Sequence, residues 1–123
     1  MSVYFSEQEM KCRCQRPTCD AVAMDPEFME ALDTLRERVG RPLRVTSGAR
    51  CAFWNAHEGG QPDSAHLTGQ AADLEIRTSP RRWEVVAANF RPPVLFTRLG
   101  IAPTFVHVDA ADLTHATHVL WLY

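Results

Sequence analysis

The sequence predicts an α+β fold in which two main helices pack on a small, mostly antiparallel sheet. Two segments have helical periodicity, several short segments alternate apolar and polar residues, and no linker-like segment divides them. The 123 residues are 46% hydrophobic and 23% charged, which is ordinary for a soluble globular protein. A chain of this length can bury its own core, so residues 1–123 are expected to form one domain.

The first main helix is predicted over residues 26–39. Asp25 and Pro26 have the pattern of an N-cap followed by proline at the first helical position. Apolar residues then recur at near-helical spacing, and Gly40 supplies a stop. The capping signals and the periodicity therefore agree on both ends of this helix.

A second main helix is predicted from residue 79 to about residue 89, because Ser79 and Pro80 repeat the cap-and-proline pattern. Residues 6–9 have capping-box spacing and predict a short helix near the N-terminus. Residues 51–57 are predicted to form one helical turn.

Short strands are predicted in both halves of the chain. Residues 43–46 lie between a proline and a Ser-Gly pair, and residues 72–76 alternate in strand fashion. Three further strands are predicted near residues 95–98, 104–109 and 117–122, after a Pro-Pro pair. Short strands separated by turns favour antiparallel pairing.

The charge pattern argues against a nucleic-acid partner, since the net charge is −2 and no uninterrupted basic patch is present. No apolar run approaches the roughly 20 residues of a membrane-spanning helix. The first residues lack the basic and apolar regions of a secretory signal. These features leave two alternatives, a protein that acts in the cytoplasm or one that is released by cell lysis or in a phage particle. We also expect a monomer.

The chain has four cysteines, three of them in a Cys-x-Cys-x4-Cys pattern: Cys12, Cys14, Cys19 and Cys51. The spacing is not that of a standard zinc finger. In a chain without a secretory signal, free thiols or a structural zinc site are favoured over disulfides. The sequence leaves these three states open.

The first segment with the residues of a metal site is residues 64–73, in which His66 and Asp73 lie seven positions apart. Imidazole nitrogen and carboxylate oxygen both bind zinc. A loop ligand and a strand ligand meet only if the chain turns back between them, and Gly69 permits that turn. A surface histidine and an aspartate at a loop end would also fit this pattern.

The second segment is a predicted strand in which His107 and Asp109 point to the same side, together with Phe105. Val106 and Val108 then face the core. A histidine and an aspartate on one face suit a metal ligand with an acid–base or orienting neighbour. The alternative is a hydrogen-bonded His107 that binds no metal. Two other histidines, His115 and His118, could line a cleft or lie on its rim.

Residues 64–73 read Ser-x-His-x-x-Gly-x-Ala-x-Asp, and residues 105–109 read Phe-Val-His-Val-Asp. Together they resemble the zinc D-alanyl-D-alanine carboxypeptidase and murein endopeptidase family, whose superfamily includes lysostaphin and the sonic hedgehog signalling domain. Residues 46–50 are similar to the family's Ser-Gly-Tyr-Arg segment, with Ala49 in place of the aromatic. Asn55 also falls where similar proteins carry it, and the cysteine-rich stretch resembles the short phage-type branch.

The resemblance implies a hedgehog/D-Ala-D-Ala-peptidase-like fold in which His66, Asp73 and His107 are zinc ligands. Three protein ligands leave a coordination position open, as in catalytic zinc sites. The implied reaction is hydrolysis of a peptide bond in the stem or crosslink of peptidoglycan. Arg50 is expected to face the active site and bind a substrate carboxylate or carbonyl. Ser64 is expected to hydrogen-bond near the substrate.

The family pattern does not assign a general base in this chain. Several similar enzymes carry an acid three residues before the last histidine ligand, where this chain has Thr104. Asp109 is the candidate base because it shares a strand face with His107; alternatively, it only orients that ring. Thr104 and Ala49 also leave open a non-catalytic binding or phage structural module, and a zinc amidase or esterase is a third alternative.

Overall fold

The computed structural model of the protein describes residues 2–110 and 119–123. In this part of the chain, helices and strands follow one another in the order of an α+β fold, as predicted. The elements are α1 (Glu7–Met10), α2 (Pro26–Val39), β1 (Arg44–Ser47), α3 (Ala52–His57), a 3₁₀ turn (Ala65–Thr68), β2 (Ala71–Glu75), α4 (Ser79–Phe90), β3 (Arg98–Ile101), β4 (Phe105–Asp109) and β5 (Val119–Leu122).

The five strands form one sheet in the order β1-β2-β4-β3-β5. The pairs β1–β2, β2–β4 and β3–β4 are antiparallel, whereas β3 and β5 are parallel. Alternate strand residues pack with α2 and α4 in one hydrophobic core, whose largest fully buried side chains are Phe28, Leu32, Leu35, Leu74, Val85, Phe96, Leu99, Val106 and Val108. The residues between them in sequence point to the other face of the sheet.

Helix α2 has the predicted bounds, for the predicted reasons. The Asp25 carboxylate accepts a hydrogen bond from the Phe28 backbone N–H at 3.0 Å, and Pro26 occupies the first helical position. The helix ends at Gly40, which has a left-handed backbone conformation. The predicted second main helix and the short helices near residues 7 and 52 are also present.

The strand predicted near residues 95–98 lies about three residues further on, as β3. The physical reason is Asn89, a fully buried side chain at the end of α4. Its amide donates to the Phe96 carbonyl at 2.9 Å and accepts from the Phe96 N–H at 2.8 Å. These bonds occupy the backbone groups that a strand partner would need, so the strand begins only after Phe96.

The last predicted strand is present as β5 from Val119 onward, while residues 111–118 lie outside the described part of the chain. His115 and His118 therefore also lie outside it. Among the described residues, no helix combines the length and the apolar character needed to cross a membrane.

Candidate metal centre

Two of the three predicted ligands face each other across neighbouring strands. Asp73 on β2 and His107 on β4 are directly paired in the antiparallel register. Their neighbours Leu74 and Val106 enter the core, so the two polar side chains share the opposite face of the sheet. His107 Nδ1 lies 2.9 Å from Asp73 Oδ1.

The third predicted ligand, His66, reaches the same carboxylate from the 3₁₀ turn. The Ser64 hydroxyl caps this turn by accepting from the His66 backbone N–H at 3.2 Å. Gly69 ends it with φ 73°, and a side chain there would overlap the Ala23 carbonyl oxygen. The turn places His66 Nε2 3.4 Å from Asp73 Oδ1, as the predicted reversal at Gly69 requires.

The spacing of these donor atoms fits a zinc ion. One nitrogen or oxygen from each of His66, Asp73 and His107 lies within 4.8 Å of the others. Zinc bonds of about 2.0–2.1 Å in tetrahedral geometry separate such atoms by about 3.3–3.4 Å. The 3.4 Å separation matches this value, and the 2.9 Å separation needs only a small rotation of a side chain. Two imidazoles and one carboxylate are also the donor types that zinc prefers.

Hydrogen bonds on the far side of each ring leave the correct nitrogen available to a metal. His66 Nδ1 lies 2.7 Å from the Gly48 carbonyl oxygen and donates to it, so Nε2 is the nitrogen whose lone pair a bound metal would take. His107 Nε2 lies 2.6 Å from Asp109 Oδ2, an arrangement that directs Nδ1 toward Asp73. Both tautomers follow from the hydrogen-bond partners.

Asp109 is itself held from the neighbouring strand. Arg98 pairs with Asp109 in the register of β3 and β4, and Arg98 Nε donates to Asp109 Oδ1 at 2.8 Å. The Arg98 guanidinium also lies over the Trp121 ring, whose centroid is 5.5 Å from that of His107. Since Asp109 is only 2% exposed and contacts the ring edge opposite Nδ1, the geometry favours the orienting alternative over the general base.

Arg50 lies beside the predicted ligands, and its guanidinium binds the second oxygen of Asp73. Nη2 lies 3.1 Å from Asp73 Oδ2, in an ion pair that is largely buried. Nε donates to Ser47 Oγ at 2.9 Å, and Nη1 donates to Asn55 Oδ1 at 3.1 Å. Its backbone N–H donates to the His66 carbonyl at 3.0 Å, which ties the two segments together. The Asp73 carboxylate is thus shared between the two histidines and one arginine.

The electrostatics of the metal-free cluster keep Asp73 ionised. Burial by itself raises the pKa of the Asp73 carboxyl, but hydrogen bonds from His107 and His66 and the charges of these rings bring the pKa well below its usual value. Burial by itself lowers the pKa of His107, yet hydrogen bonds and charges from Asp109 and Asp73 raise that pKa above its ordinary value. In the metal-free protein the His107 ring lies between the two carboxylates, which favour its protonated form.

The two positions that depart from the family pattern lie apart from these contacts. Ala49 is buried, and its backbone N–H donates to the Met10 carbonyl at 2.9 Å. Thr104 is exposed between β3 and β4, and its carbonyl accepts from the Ile76 N–H at 2.9 Å. A hydroxyl at this position cannot replace the acid that similar enzymes carry there.

Gly60 leaves room for the Asn55 side chain that contacts Arg50, and substitution of Gly60 by alanine tests this role. A side chain on Gly60 would overlap Asn55 Oδ1, so Gly60→Ala is expected to displace the Asn55 amide. That amide accepts from Arg50 in a buried bond and donates to the Gln61 carbonyl in a partly buried one, and leaving both unmade costs about 2–4 kcal/mol.

Urea unfolding measures this cost, with Gly59→Ala as the matched control. Gly59 has φ 74° and open space around it, so alanine there costs only about 1–2 kcal/mol of backbone strain. Equal stability of the two variants would contradict the role assigned to Gly60.

Two side chains from neighbouring strands and one from the 3₁₀ turn each offer one donor atom to a common point, which defines a candidate zinc hydrolase site with three protein ligands. The chain belongs to the peptidase M15 family, because the Peptidase M15 model matches residues 3–109 of its 123 residues. Members of this family are zinc-dependent metallopeptidases. The resemblance inferred from the motifs is thereby confirmed at the level of the family. No curated protein sequence matches the chain.

Proposed function

We propose that this protein is a zinc peptidase that hydrolyses a peptide bond in the stem or crosslink of peptidoglycan. The observation that supports this most is the convergence of His66 Nε2, Asp73 Oδ1 and His107 Nδ1, each held by a partner on its far side. A zinc ion bound there supplies Lewis-acid activation of water and of the scissile carbonyl. The motif resemblance supports peptidoglycan as the substrate.

In this proposal Arg50 binds the substrate carboxylate or carbonyl while it holds Asp73. A guanidinium has five N–H donors, and the contacts to Ser47, Asn55 and Asp73 use three of them. Two N–H groups remain, one on each terminal nitrogen, and in this proposal they bind the substrate. Ser64 contributes indirectly, since its hydroxyl caps the turn that carries His66.

The test is cleavage of defined cell-wall peptides by zinc-loaded protein. A stem pentapeptide ending in D-Ala-D-Ala and a crosslinked stem dimer are incubated with the protein, and the products are identified by mass spectrometry. His66→Ala is expected to lose cleavage, while His57→Ala, an exposed histidine stacked on Trp54, is expected to keep it. A stem peptide still attached to its sugar is assayed alongside, and release of the intact peptide from that sugar would indicate an amidase. Zinc-loaded protein that cleaves neither substrate would contradict the proposal.

Arg50→Lys distinguishes substrate binding from a purely structural role. If Arg50 binds a terminal carboxylate, the wild type cleaves a free-acid peptide at least about 10-fold better than its C-terminal amide, since such a bond contributes about 1.5–3 kcal/mol. Lysine lacks the planar fork, so the variant is expected to lose that preference through a higher KM. A preference that survives in Arg50→Lys would show that another group binds the carboxylate.

A second candidate function is a zinc-containing module that binds peptidoglycan without turnover. One observation that favours this candidate is exposed Thr104, which stands where similar enzymes carry an acid. Another is that both carboxylate oxygens of Asp109 already contact side chains, Arg98 and His107. It predicts bound zinc, sedimentation of the protein with purified cell wall, and no peptide product.

A further inference from the structure

We propose that the four cysteines of the chain form a second metal site, which binds a structural zinc ion and shares no residue with the histidine–aspartate cluster. Its ligands are Cys12, Cys14, Cys19 and Cys51, whose Sγ atoms lie within 4.8 Å of one another. This inference does not rest on the proposed peptidase function.

The separation of two of the sulfur atoms matches that of two ligands of one shared ion. All four cysteines are free, and Sγ of Cys12 lies 3.7 Å from Sγ of Cys51. Two thiolates on one tetrahedral zinc ion, with bonds of about 2.3 Å, lie about 3.8 Å apart. A disulfide bond is about 2.05 Å long, so this pair is at the spacing of co-ligands.

Backbone N–H groups point at three of the sulfur atoms. Cys12 Sγ accepts from the Cys51 N–H, Cys51 Sγ accepts from the Trp54 N–H, and Cys14 Sγ accepts from the Arg16 N–H, each at 3.4 Å. Hydrogen bonds of this kind favour the thiolate, which is the form that binds zinc, and they orient the ligand atoms. Each thiol releases its proton to solvent when the metal binds.

Residues 11–25, which carry three of these cysteines, need a constraint other than secondary structure or a hydrophobic core to hold one conformation. Residues 11–25 contain no helix or strand, and residues 15–20 are all exposed, so buried apolar surface does not hold them. Gln15, between Cys14 and Arg16, has φ 57°, a conformation that a non-glycine residue keeps only where its surroundings enforce it. A metal held by Cys14 and Cys19 supplies that constraint.

The site has a structural role because four protein ligands fill a tetrahedral shell and leave no position for substrate. It also borders the proposed active site. Cys51 directly follows Arg50, and the segment ends at Asp25, whose N–H donates to the Gly69 carbonyl at 2.9 Å. The second ion would thereby hold in place the backbone at Arg50 and the 3₁₀ turn that carries His66.

Cobalt binding to the reduced, metal-free full chain tests the proposal. Thiolate-to-cobalt charge transfer gives intense near-ultraviolet absorption, whereas imidazole and carboxylate ligands give none. We expect this band in the wild type and in His66→Ala, and two zinc ions per wild-type chain. Absence of the band from the wild type would overturn the proposal, whatever the variants do.

The variant for this test is Cys14→Ser combined with Cys19→Ser, which leaves the buried Cys12 and Cys51 in place. It is expected to lose the charge-transfer band and one of the two zinc ions while keeping the zinc that His66→Ala loses. Thr18→Ser, in the same segment but without a sulfur atom, is the matched control and should keep both ions. A band unchanged in the double variant would also overturn the proposal.

Discussion

Asp73→Asn is expected to abolish zinc binding at the histidine–aspartate cluster and to lower peptidase activity by about 1,000-fold or more, or about 4 kcal/mol. Asp73 Oδ1 contacts both His66 and His107, and Oδ2 contacts Arg50, so one carboxylate connects the whole site. Asparagine has the same shape but no negative charge, and its NH₂ group must face either a histidine nitrogen or the guanidinium. Zinc content and the rate of peptide cleavage measure the effect.

The same substitution is expected to destabilise the metal-free protein by about 3 kcal/mol, because it leaves the buried guanidinium of Arg50 without its counter-charge. Urea unfolding in the presence of a chelator measures this. The control is Glu75→Gln on the same strand, which removes a charge that pairs with exposed Arg44 and Arg77 and costs at most about 1 kcal/mol. Full zinc content and activity in Asp73→Asn would refute its assignment as a ligand.

Asp109→Asn separates the two roles considered for Asp109. If it orients His107, as its 2.6 Å contact with Nε2 favours, zinc affinity falls about 10–100-fold while turnover at saturating zinc changes little. If it is the general base, zinc affinity is kept and turnover falls about 100-fold or more, with loss of the basic group from the pH–rate profile. Zinc titration followed by single-turnover kinetics at saturating zinc distinguishes these outcomes. Glu75→Gln again controls for the loss of one charge.

Local rules account for the parts of the fold that the sequence predicted well. The bounds of α2 follow from Asp25, Pro26 and Gly40, all of which act within a turn of the helix end. The alternation of β4 predicted that Val106 and Val108 face the core and that His107 points away from it, and the structure has both valines in the core. The ligand set itself came from the motif resemblance, because the spacing of these residues also fitted histidines and an aspartate that bind no metal.

Contacts that depend on strand register left no signal in the sequence. Arg98 meets Asp109 only because β3 and β4 pair in one particular register, and the His66 ring is fixed by the Gly48 carbonyl, a backbone atom that any residue would supply. The shift of β3 has the same origin, since the buried amide of Asn89 takes the backbone groups of Phe96. These contacts join residues that are not neighbours in sequence, so they form only when the chain has folded.

The spacing of the cysteines along the sequence likewise did not indicate a single metal site. The Cys-x-Cys-x4-Cys pattern matched no standard site, because its fourth member is far along the chain at the start of α3. Only the fold brings Cys51 to within 4.8 Å of the other three sulfur atoms.

The central claim is that His66, Asp73 and His107 hold one zinc ion, and anomalous diffraction from crystals of the zinc-loaded protein tests it most directly. Data collected on both sides of the zinc absorption edge should give a peak about 2.0–2.1 Å from His66 Nε2, Asp73 Oδ1 and His107 Nδ1. A second peak among the cysteines would bear only on the structural site. A crystal with zinc in solution and no anomalous peak among these three residues would contradict the account.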